Sequence, residues 1–223
     1  MTVLSSQPTV VFTGPFGTGK TEVAISYARA AHAAGRGVVL VDADIVTPYF
    51  RVGDHRDALQ QEGIPVIAPS GALASFEVPA VPAELRHALE RSATQVVLDV
   101  GGDPEGARFL AGYADTITAR GYDMWLVANP FRPATPDAEA IVSAARALAA
   151  PCGLSFTGLV ANPHLGPLTT VADILRGLEP ICAAAAALGL PVALLAVEAR
   201  FGDDPALPDL PRLPLKLTLR PPW

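Results

Sequence analysis

The sequence predicts an α/β domain: a three-layer, doubly wound fold on a mostly parallel sheet. Two observations carry this. Short unbroken apolar runs alternate with helical patterns, and half of the 223 residues are hydrophobic while only 17% are charged. Strands covered by helices on both faces lose the polar alternation of half-exposed strands and read as continuous apolar runs. The apolar mass is chiefly Ala, Val and Leu, with aromatics at 6%, as expected for helices laid over a buried sheet. The length serves one well-buried domain, placed at residues 1–202. A proline-rich tail over 203–223 is expected to lie on the same domain.

The elements follow in order. Thr9–Thr13 is apolar enough for a first strand, and 21–34 forms a helix stopped by Gly35. A second strand is predicted over 37–41 and a short third over 65–68. Residues 83–91 have a helical pattern, and Gln95–Val100 is a Val-rich strand. Another strand spans 123–128, followed by a helix over 136–149. Strands at 155–161 and 191–197 flank a helix across 170–188. In the tail, Leu215, Leu217 and Leu219 alternate with Lys216 and Thr218, which predicts a short edge strand among the prolines.

Several function classes are disfavoured by composition. The net charge is −6 and no run of Lys or Arg stands out, which argues against a broad nucleic-acid footprint. Cys152 and Cys182 are far apart and form no CxxC, so neither a zinc nor an iron–sulfur site is indicated. Two buried thiols fit a reducing, cytoplasmic location. Met1 to Thr9 lacks the basic start and apolar core of a signal peptide. The apolar stretch 181–197 is divided by Gly189 and Pro191 and falls short of the ~20 residues of a membrane span.

Gly14-Pro15-Phe16-Gly17-Thr18-Gly19-Lys20-Thr21 fits GxxxxGK[ST] at every fixed position, between an apolar strand and a helix. Glycines let the backbone fold tightly, so that several N–H groups face phosphate oxygens, and the helix N-terminus adds partial positive charge. Lys20 is placed to reach the β- and γ-phosphates, and the Thr21 hydroxyl to bind Mg²⁺. This motif predicts a P-loop NTPase fold binding a nucleoside triphosphate with magnesium.

Two further strands end in acids. Gln95–Val100 carries Asp99, the expected metal-side carboxylate, and the Gly101-Gly102-Asp103 turn beyond it offers the Gly102 N–H to a γ-phosphate. Val38-Val39-Leu40-Val41-Asp42-Ala43-Asp44 brings Asp44 toward Mg²⁺ or the attacking water, with Asp42 supporting the loop. Parallel strands deliver such C-terminal ends to the ligand crevice. Arg51, Arg108 and Arg132 each offer charge to the γ-phosphate, and the sequence does not choose among them.

Taken together, the loop, the DxD at Asp42 and Asp44 and the strand ending at Asp99 resemble the MinD/ParA/Mrp and CobQ/CobB-like ATPases of the SIMIBI branch. The resemblance extends from Thr9 to about Val197. It implies ATP with Mg²⁺, slow ATP hydrolysis and a switch acting on a protein partner, in positioning or in metallocentre or cofactor assembly. An alternative within the resemblance is a small-molecule kinase or ATP-dependent ligase of the dethiobiotin synthetase/CobQ type. The family's catalytic pair maps to Lys20 and Asp44, and its metal set to Thr21, Asp44 and Asp99. The nucleotide set is Gly14 through Thr21 with Glu22, Gly102 and Asn162. Asn162, after a late strand, matches the family's adenine reader, and Asn129 is a weaker match. Pro15 stands where dimerising members carry a signature lysine, which implies a monomer or a dimer not relying on that lysine. No [NT]KxD guanine motif is present. A lysine corresponding to the substrate-binding one of dethiobiotin synthetase is absent from 45–51, where Tyr49, Phe50 and Arg51 offer a partner-sensing loop.

Overall fold

In the computed structural model, residues 4–44, 52–68, 82–91 and 93–218 are described. The proposed sensing loop with Tyr49, Phe50 and Arg51, and Leu219 of the tail, lie outside them.

Eight strands form one sheet in the order β3-β2-β4-β1-β5-β6-β7-β8. They are β1 (Thr9–Thr13), β2 (Val38–Ala43), β3 (Val66–Ile67), β4 (Gln95–Val100), β5 (Tyr122–Ala128), β6 (Gly158–Ala161), β7 (Val192–Glu198) and β8 (Arg212–Leu215). Every pairing is parallel. The P-loop NTPase-like α/β fold expected from the sequence is therefore present.

Successive residues of the central strands enter opposite cores. Val10 and Phe12 of β1 pack into one layer with helix α1 (Lys20–Ala33), while Val11 enters the other. That second layer holds helices α6 (Ala138–Cys152) and α7 (Val171–Leu188) and the apolar face of α3 (Pro82–Glu90). Burial on both faces explains why these strands lack polar alternation. Phe12, Tyr27 and Trp125 meet with ring centroids 5.3–5.8 Å apart under β1, in tilted and edge-on contacts. The Tyr27 hydroxyl accepts a bond from Ser5 N at 3.0 Å, and burial raises its pKa to about 12.

Three short helices were not foreseen: α2 (Arg56–Gln61), α4 (Pro104–Arg108) and α5 (Ala114–Arg120). The edge strand lies earlier than expected, at Arg212–Leu215, because Leu213 and Leu215 alternate into the core whereas Leu217 is exposed. Pro214 is tolerated in β8 because an edge strand leaves one row of backbone groups unpaired. Among the described residues no helix is long and apolar enough to cross a membrane.

Candidate functional site

The phosphate loop joins the C-terminal end of β1 to α1. Gly17 and Gly19 have φ of +81° and +87°, a left-handed conformation that other residues adopt only under strain. Thr18 closes the turn by donating from both N (3.2 Å) and Oγ1 (2.9 Å) to Pro15 O. A Cβ on Gly14 would sit 2.4 Å from Val127 O, so only glycine fits against β5. Phe16 stands at the crest with 69% of its surface exposed.

Charges converge beneath the loop. Lys20 Nζ lies 2.7 Å from Asp44 Oδ2, and both side chains are buried. Burial opposes the lysine's charge, but Asp99, Asp44 and Asp42 outweigh it and hold its pKa above the ordinary value. Asp42 braces its own loop, accepting from Asp44 N (3.3 Å) and Gly53 N (3.0 Å). Asp99 is fully buried, and desolvation, opposed by Lys20 and the nearby Thr21 hydroxyl, lifts its pKa to about 7.

The turn after β4 is pressed onto the loop. Thr13 Oγ1 donates to Gly101 O at 3.1 Å, and a Cβ on Gly102 would meet Gly14 O at 2.0 Å. Gly101 in turn faces Asp44, whose Oδ1 would lie 3.2 Å from an added Cβ. Asp103 caps α4 by accepting from Glu105 N and Gly106 N. Phosphate loop, Asp44 and the Gly101-Gly102 turn are thus in mutual contact, although they come from separate strands.

Mg²⁺ suits this donor set. Both Asp99 carboxylate oxygens are buried without a well-formed hydrogen bond, beside the Thr21 hydroxyl. A buried carboxylate lacking partners is costly unless a cation joins it. Among the described residues no three His, Cys, Asp or Glu side chains cluster as a self-sufficient metal site. Magnesium typically completes its octahedron with waters and phosphate oxygens, so one carboxylate and one hydroxyl suffice from the protein.

The remaining candidates are brought close in different ways. Asn162 is buried, and its Nδ2 donates to Thr18 O at 2.7 Å, so its amide supports the phosphate loop. Asn129 ties together the loops after β5 and β6, donating to His164 O and accepting from Phe131 N. Glu22 points to the tail, accepting from Thr218 N at 2.8 Å. Of the three arginines, Arg132 approaches the loop: its Cδ would lie 3.8 Å from a Cβ on Gly17. Arg108 ends α4, on the turn after β4. Sequence reading missed the bracing roles of Thr13 and Thr18, whose partners are backbone oxygens that no residue pattern marks.

The fold and the loop together define an α/β domain of the P-loop NTPase-like, parallel-sheet type. Comparison with family models finds no match, and comparison with curated proteins finds none. Solved structures do match. The cell division protein FtsY of Thermotoga maritima aligns at TM-score 0.58 and 22% identity, over 88% of this chain and 64% of that one. The signal recognition particle receptor FtsY of Elizabethkingia anophelis, in complex with GDP, aligns at 0.52 and 17%, over 87% and 58%. The signal recognition particle 54 kDa protein of Aeropyrum pernix, also with GDP, aligns at 0.51 and 19%, over 84% and 41%. The chain spans between two fifths and two thirds of the length of these proteins.

These neighbours correct the resemblance to MinD/ParA/Mrp and CobQ/CobB-like ATPases. With it go the expectations of ATP and ADP as ligands, of an ATP hydrolase, and of an ATP-dependent kinase or ligase. The physical reason is that the three motifs carrying the resemblance are expected at phosphate and metal, which every nucleoside triphosphate shares. They do not read the base. Asn162, the first candidate for adenine, has its amide nitrogen committed to Thr18 O, and that of Asn129, the weaker one, donates to His164 O.

Proposed function

We infer that this chain is a magnesium-dependent guanine-nucleotide switch that binds GDP and GTP, hydrolyses GTP slowly and acts on a protein partner. The observation that carries it is the buried Lys20–Asp44–Asp99 cluster directly under a glycine-shaped phosphate loop. Support for guanine comes from neighbours of this fold that hold GDP. Because the [NT]KxD pattern is missing, base contacts fall to other groups of the loops after β5 to β7. The name of the receptor relatives supports a protein partner, and the broader SIMIBI placement is retained.

In this mechanism the loop N–H groups and Lys20 bind the phosphates, while Thr21 and Asp99 hold Mg²⁺. Mg²⁺ held by Thr21 and Asp99 would supply charge that stabilises the leaving phosphate oxygens. Nucleotide entry draws Lys20 from Asp44, whose freed carboxylate then positions the attacking water. Gly102 N–H reports the γ-phosphate through its contact with the loop, and Arg132 adds charge from the loop's open side. The chain acts in the cytoplasm as one domain over 1–202, joined by the tail through β8, which adds a strand to its sheet. With Pro15 at the signature-lysine position, association needs no lysine crossing between copies.

Single-turnover hydrolysis of labelled GTP tests the scheme. Asp44→Asn is expected to bind GTP within a few-fold of the parent yet hydrolyse it about 10²-fold more slowly, the scale of a positioned acid–base group. Hydrolysis at the parental rate by Asp44→Asn contradicts the role given to that carboxylate.

A further inference from the structure

A groove of about 900 Å³ opens at the opposite end of the sheet from the phosphate loop. It is built where α1 ends, β2 begins, β3 edges the sheet and α3 crosses. Val38 opens β2 and Asp44 follows its last residue, Ala43, so at about 3.3 Å per residue the groove is roughly 20 Å from the metal-side cluster. Its volume falls within the range of small-molecule sites, about 300–1,000 Å³.

The walls have two chemistries. Val38, Val39, Pro65, Ile67 and Ala88 supply an apolar floor. Among the described residues the rim carries Arg91, the histidines His32 and His87, and Arg36, one of whose guanidinium nitrogens donates to Ser5 O, against the carboxylate of Glu84. This cationic rim stands on a chain whose net charge is −6, so the local sign is opposite to that of the whole molecule. An apolar floor beneath guanidinium groups complements a ligand with an apolar body and one negative head group. A bare inorganic anion such as phosphate leaves the floor uncovered, and a neutral apolar molecule leaves the rim unused.

We propose that this groove binds a small amphipathic anion, an aromatic or aliphatic body bearing a carboxylate, sulfonate or phosphate, at a site separate from the nucleotide site. The test titrates the full chain with two fluorescent probes of the same aromatic body: anionic 1-anilinonaphthalene-8-sulfonate and neutral N-phenyl-1-naphthylamine. The sulfonate is expected to bind one saturable site at least about tenfold tighter than the neutral probe, the scale of one charge-assisted contact. Arg91→Glu, a reversal at an exposed position, removes that preference. Ala88→Trp fills the floor and abolishes binding of both probes. Excess GDP with Mg²⁺ displaces neither, and this readout holds whatever nucleotide the loop prefers. Unsaturable binding, equal affinity for the two probes, indifference to Arg91→Glu in the folded variant, or displacement by GDP overturns the proposal.

Discussion

Asp99 is the residue on which the local energetics turn. Its carboxyl is raised from 3.8 to about 7 by desolvation, so in metal-free protein the folded state holds a proton that the unfolded chain has released over that interval. Stability then falls as pH rises, because the folded state binds more protons than the unfolded one. The contribution is fully present below pH 3.8 and is lost progressively up to about pH 7, on the order of a few kcal/mol. Thermal melts without metal or nucleotide should show this slope in the parent and a flattened one in Asp99→Asn. A parent melting temperature indifferent to pH over that interval contradicts the buried, unpartnered carboxylate. The residue types of the site were legible in the sequence because phosphate and metal chemistry demands Gly, Lys, Thr and Asp at fixed spacings. The bond from Asn162 to Thr18 was not, since it joins positions 144 apart through a backbone oxygen.

At the scale of elements, the site depends on two turns touching without side chains between them. The turn after β4 lies so close to the loop that a methyl group on Gly102 would overlap Gly14 O. Neither partner yields easily, since Gly14 is itself wedged against Val127 O. Gly102→Ala should therefore weaken nucleotide binding at least about tenfold and destabilise the fold by about 1–3 kcal/mol, as overpacking does. Isothermal titration with parallel denaturant unfolding checks both, and parental values in each would show that the contact is not needed. The long strands and helices could be read from sequence because both sheet faces are buried and the helices are periodic. Short α4 was masked by Gly106 within its five residues, although Asp103-Pro104 carries the N-cap and N1 signature that marks a helix start. Edge strand β8 was displaced because a proline-rich tail gives two overlapping leucine alternations, and only packing against α1 and β7 selects Leu213 and Leu215.

At the scale of the whole molecule, β8 closes the sheet beside β7 and reaches α1, where Thr218 N meets Glu22 and Thr218 Oγ1 accepts from Arg29. Deleting 212–223 uncovers the edge of β7 and removes two buried leucines, each contributing about 1.5–3 kcal/mol. The truncated chain should melt roughly 10 °C lower and aggregate more readily through the freed edge. A truncated chain that melts and stays monomeric like the parent contradicts a structural role for the tail. The tail thus stabilises the helix that begins at the phosphate loop, linking the C-terminal end of the sequence to the nucleotide site. The central claim, a guanine-nucleotide switch, is tested most directly by titrating the full chain with a fluorescent GDP analogue in the presence of Mg²⁺, then competing with unlabelled GDP and ADP. The account predicts one site, displaced by GDP at least about tenfold more effectively than by ADP, and lost in Lys20→Ala that remains folded. Equal displacement by both nucleotides, or undiminished binding in the folded Lys20→Ala variant, would contradict it.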